Sequence, residues 1–239
     1  MMSRMKIAKW MFAFACTIVA GCGFSLAGEG YGLYKNAVEE VSLEEKVAKI
    51  RSQENFTSIE ELPETYVQAV ISVEDHRFYE HGALDPIAIG RALVNDLKAG
   101  RYVEGGSTIT QQLAKNLYFS QEKTMNRKAA EVFLAFELEQ KYTKDEILEL
   151  YVNSIYFGDG YYSIGEASEG YFGKPASQMN DYEATLLAGV PNAPSRYAPS
   201  KNLALAEKRQ QKVISRMEAC GYLNDQAASV MSAELLALK

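Results

Sequence analysis

Signals for helix starts recur along this chain from Pro63 onward, and they restrict its fold more than any other feature. Asp85 followed by Pro86, Thr124, and the stretch Thr143-Lys144-Asp145-Glu146 each place a side-chain oxygen directly before an apolar run. Such oxygens accept hydrogen bonds from the free N–H groups of a first helical turn. Within the runs, apolar residues recur three or four positions apart, as on one face of a helix. The sequence therefore predicts an all-α fold.

The same signals predict where elements begin and end. Pro63 suits the first position of a helix, and Ser107 is expected to cap TITQQLAKNL. Gly100 and Gly221 are expected to end helices. The segment NFTSI, residues 55–59, is a candidate for one short strand.

The N-terminus carries a membrane signal. Arg4, Lys6 and Lys9 precede residues 10–28, which contain no charged residue. At helical rise this stretch reaches roughly 28 Å, close to the hydrocarbon thickness of a bilayer. A basic flank stays cytoplasmic, so an uncleaved anchor leaves the rest of the chain outside the cell. The alternative is a lipoprotein signal in which Cys22 is lipidated. Either one tethers the chain to the outer face of a cell membrane, as a single-pass or a lipid-anchored protein.

The predicted organisation has four segments. They are a signal-anchor helix or lipoprotein signal over 1–28, a linker and N-terminal helix over 29–55, the main domain over 56–225 and a C-terminal helix over 226–239.

Charge, cysteine and histidine content exclude several functions. The net charge is −6, whereas a broad nucleic-acid surface needs a basic excess, so no nucleic-acid partner is expected. Cys16 and Cys22 lie in the apolar N-terminal segment, which leaves Cys220 alone in the main domain and rules out a disulfide framework. The histidines His76 and His81 are five residues apart without an HExxH motif, so no metal site is expected.

Acid, imidazole and aromatic residues are concentrated in VEDHRFYEHG, residues 73–82. Glu74 ends an apolar run, and burial there would raise its pKa toward the range useful for proton transfer. A solvated acid at a helix end is the alternative. Adjacent side chains point apart, so Asp75 is better placed as a structural hydrogen-bond acceptor than as a second catalytic acid. We expect structural roles near the site for Asp75, Phe78, His81 and Gly82.

The stretch GGSTITQQLAKN, residues 105–116, combines glycines with a helix start. Glycines permit close backbone approach, and free N–H groups at a helix start bind anions. Gln112 and Asn116 are four residues apart and share one helix face. An amide-rich face suits sugar or phosphate binding, although an exposed polar helix is the alternative.

A third stretch, RKAAE, pairs Arg127 with Glu131 four residues later. A surface salt bridge is the default interpretation. The apolar run VFLAFELE follows directly, however, so part of this helix is buried. The cations Lys123, Arg127 and Lys128 favour the charged form of Glu131. Two carboxyl groups in different settings can divide acid–base and electrostatic roles.

Five motifs in this order resemble those of the peptidoglycan glycosyltransferases of glycosyltransferase family 51. The resemblance spans about residues 60–222, and the last motif has Ile214 where the family pattern has leucine. The motifs are EDHRFYEHG (74–82), GGSTITQQLAKN (105–116), RKAAE (127–131), KDEILELYVN (144–153) and RQQKVISRM (209–217).

The resemblance implies a lysozyme-like helical domain with a large lobe and a small membrane-proximal jaw. It implies that the chain transfers a lipid-linked growing glycan onto the 4-hydroxyl of lipid II and releases undecaprenyl pyrophosphate. Glu74 would be the general base, and Glu131 the second acid, near the pyrophosphate of the donor. The implied substrate-binding residues are Ser107, Gln112, Lys115, Asn116, Lys123, Arg127 and Lys128.

The resemblance also suggests partners and alternatives. Lipid II, the nascent glycan strand and the membrane are implied partners, together with transpeptidases that would cross-link the product. No cofactor is required, although magnesium or manganese is an optional aid. The signatures SxxK, SxN and KTG do not occur together, so a monofunctional, biosynthetic polymerase is expected. A lysozyme-like lytic enzyme and a non-catalytic scaffold of cell-wall synthesis are the alternatives.

Residues 99–122 hold glycines and the aromatic residues Tyr102, Tyr118 and Phe119. Glycines ease changes of backbone conformation, and aromatic residues favour the membrane interface. We expect this segment to form the mobile jaw that touches lipid. The alternative is an ordinary surface loop with two core aromatics.

Overall fold

The computed structural model describes residues 23–100, 105–119, 122, 124–224, 226–228 and 231, and it confirms the all-α prediction. Within these residues extended pairing is limited to an isolated bridge between Gly158 and Tyr161. The helices are α1 (23–40), α2 (Leu43–Arg51), α3 (Glu64–Glu74), α4 (Pro86–Ala99), α5 (Ile109–Tyr118), α6 (Met125–Lys141), α7 (Lys144–Val152), α8 (Ile164–Phe172), α9 (Asp181–Gly189), α10 (Pro194–Tyr197) and α11 (Leu203–Ala219).

Several predicted boundaries are confirmed. The Asp85 carboxylate accepts hydrogen bonds from the first N–H groups of α4, which ends at Gly100 with a positive φ of 62°. Thr124 caps α6, Thr143 forms the expected capping box on α7, and Gly221 follows α11 with a φ of 80°. Side-chain capping chemistry therefore located the starts of α4, α6 and α7 from sequence alone.

Two predicted caps are wrong by one residue. Thr108, not Ser107, caps α5, because its hydroxyl accepts from the Gln111 N–H and the Gln111 side chain accepts from the Thr108 N–H. The Ser107 hydroxyl instead accepts a hydrogen bond from Lys128 Nζ at 2.7 Å. Pro63 is the residue before α3 rather than its first residue.

The predicted strand at residues 55–59 does not form. The backbone N–H of Thr57 donates to Asn153 Oδ1 at 3.0 Å, and Asn153 Nδ2 donates to the Thr57 carbonyl at 2.8 Å. One buried side-chain amide thus takes the place that a neighbouring strand would fill, and the chain then turns into a short 3₁₀ helix at Ile59–Glu61.

The N-terminal part differs from the predicted linker. Residues 29–40 belong to α1, which packs on α6 through Gly30 and through a Tyr31–Phe133 ring contact of 5.4 Å. Residues 1–22 of the predicted membrane segment lie outside the described residues. No helix within the described part is long and apolar enough to cross a membrane. Of the predicted C-terminal helix, residues 226–228 and 231 are described as helical.

Two groups of helices share one hydrophobic core. Helices α3, α9 and α11 pack on one another, and α5 packs on α6 and α7. The largest fully buried side chains come from both groups and include Tyr66, Phe78, Leu113, Leu134 and Tyr151. The end of α3 and the start of α5 therefore meet at a rigid junction, and the candidate site lies there.

The structure does not support the assignment of an exposed jaw to residues 99–122. Tyr118 and Phe119 pack against the core, and the Tyr118 hydroxyl donates to the Val41 carbonyl at 2.8 Å. Tyr102 lies outside the described residues. Among the described residues, five exposed apolar side chains lie together on one helix, α4: Ile87, Ile89, Leu93, Val94 and Leu97.

Candidate active site

Glu74 ends α3 with its carboxyl group inside the molecule, where 11% of the side chain is exposed. Its Oε2 accepts a hydrogen bond from Gln112 Nε2 at 3.0 Å. Its Oε1 is buried and has no hydrogen-bond partner among the described residues, and Arg209 Nη2 lies 4.0 Å away. One oxygen is thus held in place while the other remains available to accept a proton.

The surroundings of Glu74 raise its pKa. Burial is the largest cause, and the nearby Asp75 carboxylate acts in the same direction. The hydrogen bond from Gln112 and the charges of Arg209 and Lys115 lower the pKa and partly offset these effects. A carboxyl group with a raised pKa takes up protons closer to neutral pH, as a general base requires.

The turn after Glu74 is tied to the start of α5. Asp75 Oδ1 lies 2.8 Å from His81 Nε2, and Asp75 Oδ2 accepts from the Ile109 N–H at 3.0 Å. The other ring nitrogen of His81 lies 2.7 Å from the Gly82 carbonyl oxygen. Phe78 is fully buried and meets the His81 ring edge to face. These contacts hold Glu74 in a fixed relation to Gln112 on α5.

A cavity of about 630 Å³ opens beside Glu74 and is called here the α11 chamber. None of its cations was predicted from sequence as a site residue. Three of them, Lys208, Lys212 and Arg216, follow at spacings of four residues along α11, and this helical spacing was the available signal. The positively charged side chains lining the chamber are Arg91, Lys208, Arg209, Lys212 and Arg216.

A second cavity of about 750 Å³, called here the α6 chamber, contains Glu131. Only 2% of the Glu131 side chain is exposed, and its oxygens lie 2.7 Å from Arg127 Nη1 and 3.0 Å from Lys128 Nζ. The Arg127 contact is an ion pair without hydrogen-bond geometry, so Arg127 Nε and Nη1 are buried donors without a hydrogen bond to any described residue. Buried guanidinium donors of this kind favour an anionic ligand. The remaining lining residues are Ser107, Gln111, Gln112, Lys115 and Asn192.

Lys115 links the two acids electrostatically. Burial lowers its pKa, the neighbouring Glu131 and Glu74 carboxylates raise it, and Arg127 and Lys128 lower it. No described residue forms a hydrogen bond or an ion pair with the Lys115 ammonium group. The α6 chamber therefore contains a half-buried cation that a ligand oxygen can reach.

The structure brings most of the sequence-predicted site residues together, with two exceptions. Asn116 is half-buried on α5 but does not line either chamber. Lys123 lies outside the described residues. Asn192, which lines both chambers, was missed because it lies in a short 3₁₀ helix, Val190–Asn192, that matches no motif.

Magnesium or manganese does not fit the carboxylates described here. Asp75, His81 and Asp85 place potential ligand atoms within 4.8 Å of one another. Asp85 is already paired with Arg77 and caps α4, and Asp75 binds His81 and the start of α5. Both oxygens of Glu131 face cationic side chains. Within the described residues, positive charge at the site thus comes from lysine and arginine.

Comparison with known proteins places this geometry in context. A family model described as "Transglycosylase" matches residues 42–218, beginning at the cap of α2 and ahead of the predicted domain start at residue 56. Penicillin-binding protein 1A/1B of Bacillus subtilis is 46% identical over 75% of this chain and 20% of its own length. Penicillin-binding protein 1A of Escherichia coli is 39% identical over 93% of this chain and 28% of its own length. Penicillin-binding protein 1A of Aquifex aeolicus is 44% identical over 70% of this chain and 23% of its own length. The chain thus spans between a fifth and a third of the length of these relatives.

Proposed function

Because this chain belongs to the transglycosylase family, glycosyltransferase family 51, we propose that it polymerises the glycan strands of peptidoglycan. The acceptor is the 4-hydroxyl of lipid II, and the donor is the growing strand on undecaprenyl pyrophosphate. The acceptor oxygen forms a bond to the anomeric carbon of the donor as the bond from that carbon to the pyrophosphate breaks. The acceptor proton passes to Glu74, undecaprenyl pyrophosphate leaves, and the anomeric configuration inverts.

The observation that carries this proposal is the state of the Glu74 carboxyl group. Oε2 is occupied by the Gln112 amide, while Oε1 is buried without a hydrogen bond from the described residues. A buried carboxylate oxygen without a hydrogen bond is a strong acceptor for the proton of an incoming hydroxyl. A structural acid would have both oxygens satisfied, as Asp75 does.

The α6 chamber supports binding of the leaving pyrophosphate. Arg127 offers buried donors, Lys115 has no partner of its own among the described residues, and Lys128 is held by Ser107 and Glu131. Charge-assisted hydrogen bonds to phosphate are roughly twice as strong as neutral ones. Negative charge grows on the pyrophosphate as its bond to the sugar breaks, so these cations act most strongly in the transition state. Glu131 holds Arg127 and Lys128 in position for this task.

Two cationic chambers favour transfer over hydrolysis. A transfer between two lipid-linked sugars brings two pyrophosphate groups to the site, whereas hydrolysis of a finished glycan brings none. The α11 chamber, which Glu74 lines and Glu131 does not, supplies Lys208, Lys212 and Arg216. A lysozyme-like lytic enzyme would need an acid placed to protonate a glycosidic oxygen, and it has no use for this charge.

The apolar face of α4 supports a membrane-facing lobe. Leu93 is 60% exposed and Leu97 is 73% exposed, which is unusual for a helix surface in contact with water. We place the small jaw of the lysozyme-like fold at α4. Residues 1–28 would tether the domain, either as a transmembrane anchor or through a lipidated Cys22. The domain would then sit on the extracytoplasmic face of the cell membrane, where lipid-linked donors enter sideways.

Incubation of the purified full-length chain with labelled lipid II in detergent tests the proposal. We expect glycan polymers of increasing length, release of undecaprenyl pyrophosphate and no shortening of finished, uncross-linked strands. Shortening of finished strands without polymer would establish the lytic alternative. Absence of both products from a folded chain that still binds lipid II would establish the scaffold alternative.

A further inference from the structure

A short relay of hydrogen bonds lies behind Glu74. The Tyr151 hydroxyl on α7 donates to Gln112 Oε1 at 3.2 Å, and Gln112 Nε2 donates to Glu74 Oε2 at 3.0 Å. Tyr151 is 1% exposed, so water does not reach its hydroxyl. Side chains from α7, α5 and α3 therefore form a chain of hydrogen bonds in which each donates to the next, ending at Glu74.

The direction of this relay follows from the chemistry of its ends. A carboxylate only accepts hydrogen bonds, so the Gln112 amide must turn its NH₂ group toward Glu74. The amide oxygen then faces away and needs a donor. The two ends of an amide have almost the same shape, so packing alone does not choose between its two orientations. The Glu74 carboxylate selects the orientation, and the Tyr151 hydroxyl stabilises it by donating to the amide oxygen, which is otherwise left without a donor at this position.

We propose that Tyr151 is a positioning residue that holds the Gln112 amide in this orientation against Glu74 Oε2 and thereby leaves Glu74 Oε1 as the oxygen that receives the acceptor proton. The proposal rests on the proposed role of Glu74 as general base. It concerns a residue outside the two chambers, which touches no substrate.

Other groups around Glu74 do not take this part. Arg209 approaches from α11 and Lys115 from α5, and both act on Glu74 through charge alone. Asp75 is committed to His81 and to the start of α5. Tyr66 on α3 is fully buried, and the nearby charge of Glu74 contributes to raising its pKa. Its hydroxyl, however, has no hydrogen-bond partner within the described part of the chain. Burial raises the pKa of both Tyr66 and Tyr151, so neither serves as a proton acceptor.

Tyr66 supplies a matched control for the experiment. Tyr151→Phe and Tyr66→Phe each delete one buried hydroxyl beside Glu74, and only the first breaks the relay. Gln112→Met removes the amide while keeping its length. The titration of Glu74 is followed by carboxyl ¹³C NMR in the full-length chain labelled on glutamate, with Glu74→Gln to assign the signal.

The Gln112 hydrogen bond lowers the pKa of Glu74, so its loss moves the titration midpoint to higher pH. We expect this upward shift in Tyr151→Phe and in Gln112→Met, but not in Tyr66→Phe. In the double variant Tyr151→Phe/Gln112→Met, Glu74 should titrate as it does in Gln112→Met alone, because both changes break the same relay. With lipid II, Tyr151→Phe should lose roughly tenfold in rate at neutral pH and recover as the pH rises.

A wild-type midpoint in Tyr151→Phe, or equal shifts in the two tyrosine variants, would overturn the relay. The titration needs no turnover, so it remains decisive even if the wild-type chain fails to polymerise lipid II. Conversely, an active wild-type chain with an unshifted Tyr151→Phe removes the relay and leaves the polymerase proposal intact.

Discussion

Glu74 and Glu131 are the same residue type in opposite surroundings. Glu74 is buried beside a neutral amide, with its nearest cation at 4.0 Å. Glu131 is more deeply buried and has two cations at 2.7 and 3.0 Å. Different environments of this kind let two carboxyl groups perform different tasks. Glu74 is suited to move a proton, and Glu131 is suited to hold the cations that face an anion.

The buried position of Glu74 predicts a pH-dependent cost in stability. Its pKa is raised in the folded chain, so the folded state binds the proton more tightly than the unfolded state. The stability that comes from the protonated form is present below the unfolded pKa, roughly 4.3, and is lost as pH rises through the folded value. Glu74→Gln removes this loss, so the variant should melt at a higher temperature than wild type at pH 7 and nearly with it at pH 4.

Thermal unfolding of the full-length chain at the two pH values measures this effect. Glu64→Gln, at the exposed start of the same helix, is the matched control and should follow wild type at both. A Glu74→Gln variant less stable than wild type at pH 7 would show that the ionised carboxylate stabilises the fold.

Each motif places several of the acids and the α6 chamber cations on one helix, so their proximity could be expected from sequence. Glu74, Gln112, Lys115, Arg127 and Glu131 do meet at one junction. Tyr151 and Asn192 could not be predicted in the same way. Their roles depend on how α7 and the 3₁₀ helix Val190–Asn192 pack relative to α5. The spacing of residues along the chain does not predict that packing.

Helix α1 is joined to the helix that carries Glu131. A Cβ atom added at Gly30 would overlap the Ala129 side chain and crowd the backbone of α6. The Tyr34 hydroxyl donates to Glu137 at 2.8 Å one turn or more further along. Close packing of a glycine against an alanine lets the two helices approach at backbone distance. The segment that leaves the N-terminal apolar stretch thus rests directly on α6.

This contact predicts opposite effects for two glycine substitutions in α1. Gly30→Ala should destabilise the chain by about 1–3 kcal/mol, since overpacking forces two helices apart. Gly32 has no atom within 4 Å of an added Cβ, so Gly32→Ala should stabilise the helix by about 0.5–1 kcal/mol. Denaturant unfolding of both variants measures the difference. Equal stability of the two would mean that α1 does not dock on α6 in solution.

The apolar face of α4 predicts contact with lipid. We expect a spin label at Leu97→Cys, in a full-length chain lacking its native cysteines and held in a nanodisc, to meet lipid-soluble oxygen and to be shielded from an aqueous nickel reagent. The same label at Leu203→Cys is the control, because Leu203 is an exposed leucine on α11 away from this face. Access of the nickel reagent to the label at both positions would contradict contact between α4 and the membrane.

Helices were predicted correctly where the signal lies in neighbouring residues. The prediction was wrong where a residue far along the chain determines the backbone conformation. Helix caps involve residues two or three apart, so Thr124 and Thr143 were recognised from sequence. Residues 55–59 have strand-like composition, but the amide of Asn153, far along the chain, satisfies their backbone. The apolar residues of α4 lie on an exposed face, which only the packing of the helix shows.

The whole molecule is acidic, while its cleft is cationic. The net charge of −6 still argues against extended polyanions such as nucleic acids. Within the described residues the two chambers gather lysine and arginine from α4, α5, α6 and α11 around two buried acids. A small number of cations in a sheltered cleft recognises a compact anion such as a pyrophosphate, because low water access strengthens each contact.

Glu74, at the α11 chamber and next to Gln112 of the α6 chamber, is proposed to receive the proton of the acceptor hydroxyl. The most direct test is polymerisation of labelled lipid II by Glu74→Gln at saturating substrate, with Glu64→Gln as the control on the same helix. Glutamine keeps the shape and the contact with Gln112 but has no basicity, so the rate should fall on the order of 10²–10⁴-fold while lipid II binding and folding persist. A Glu74→Gln chain that polymerises lipid II at a rate near that of wild type would contradict the claim.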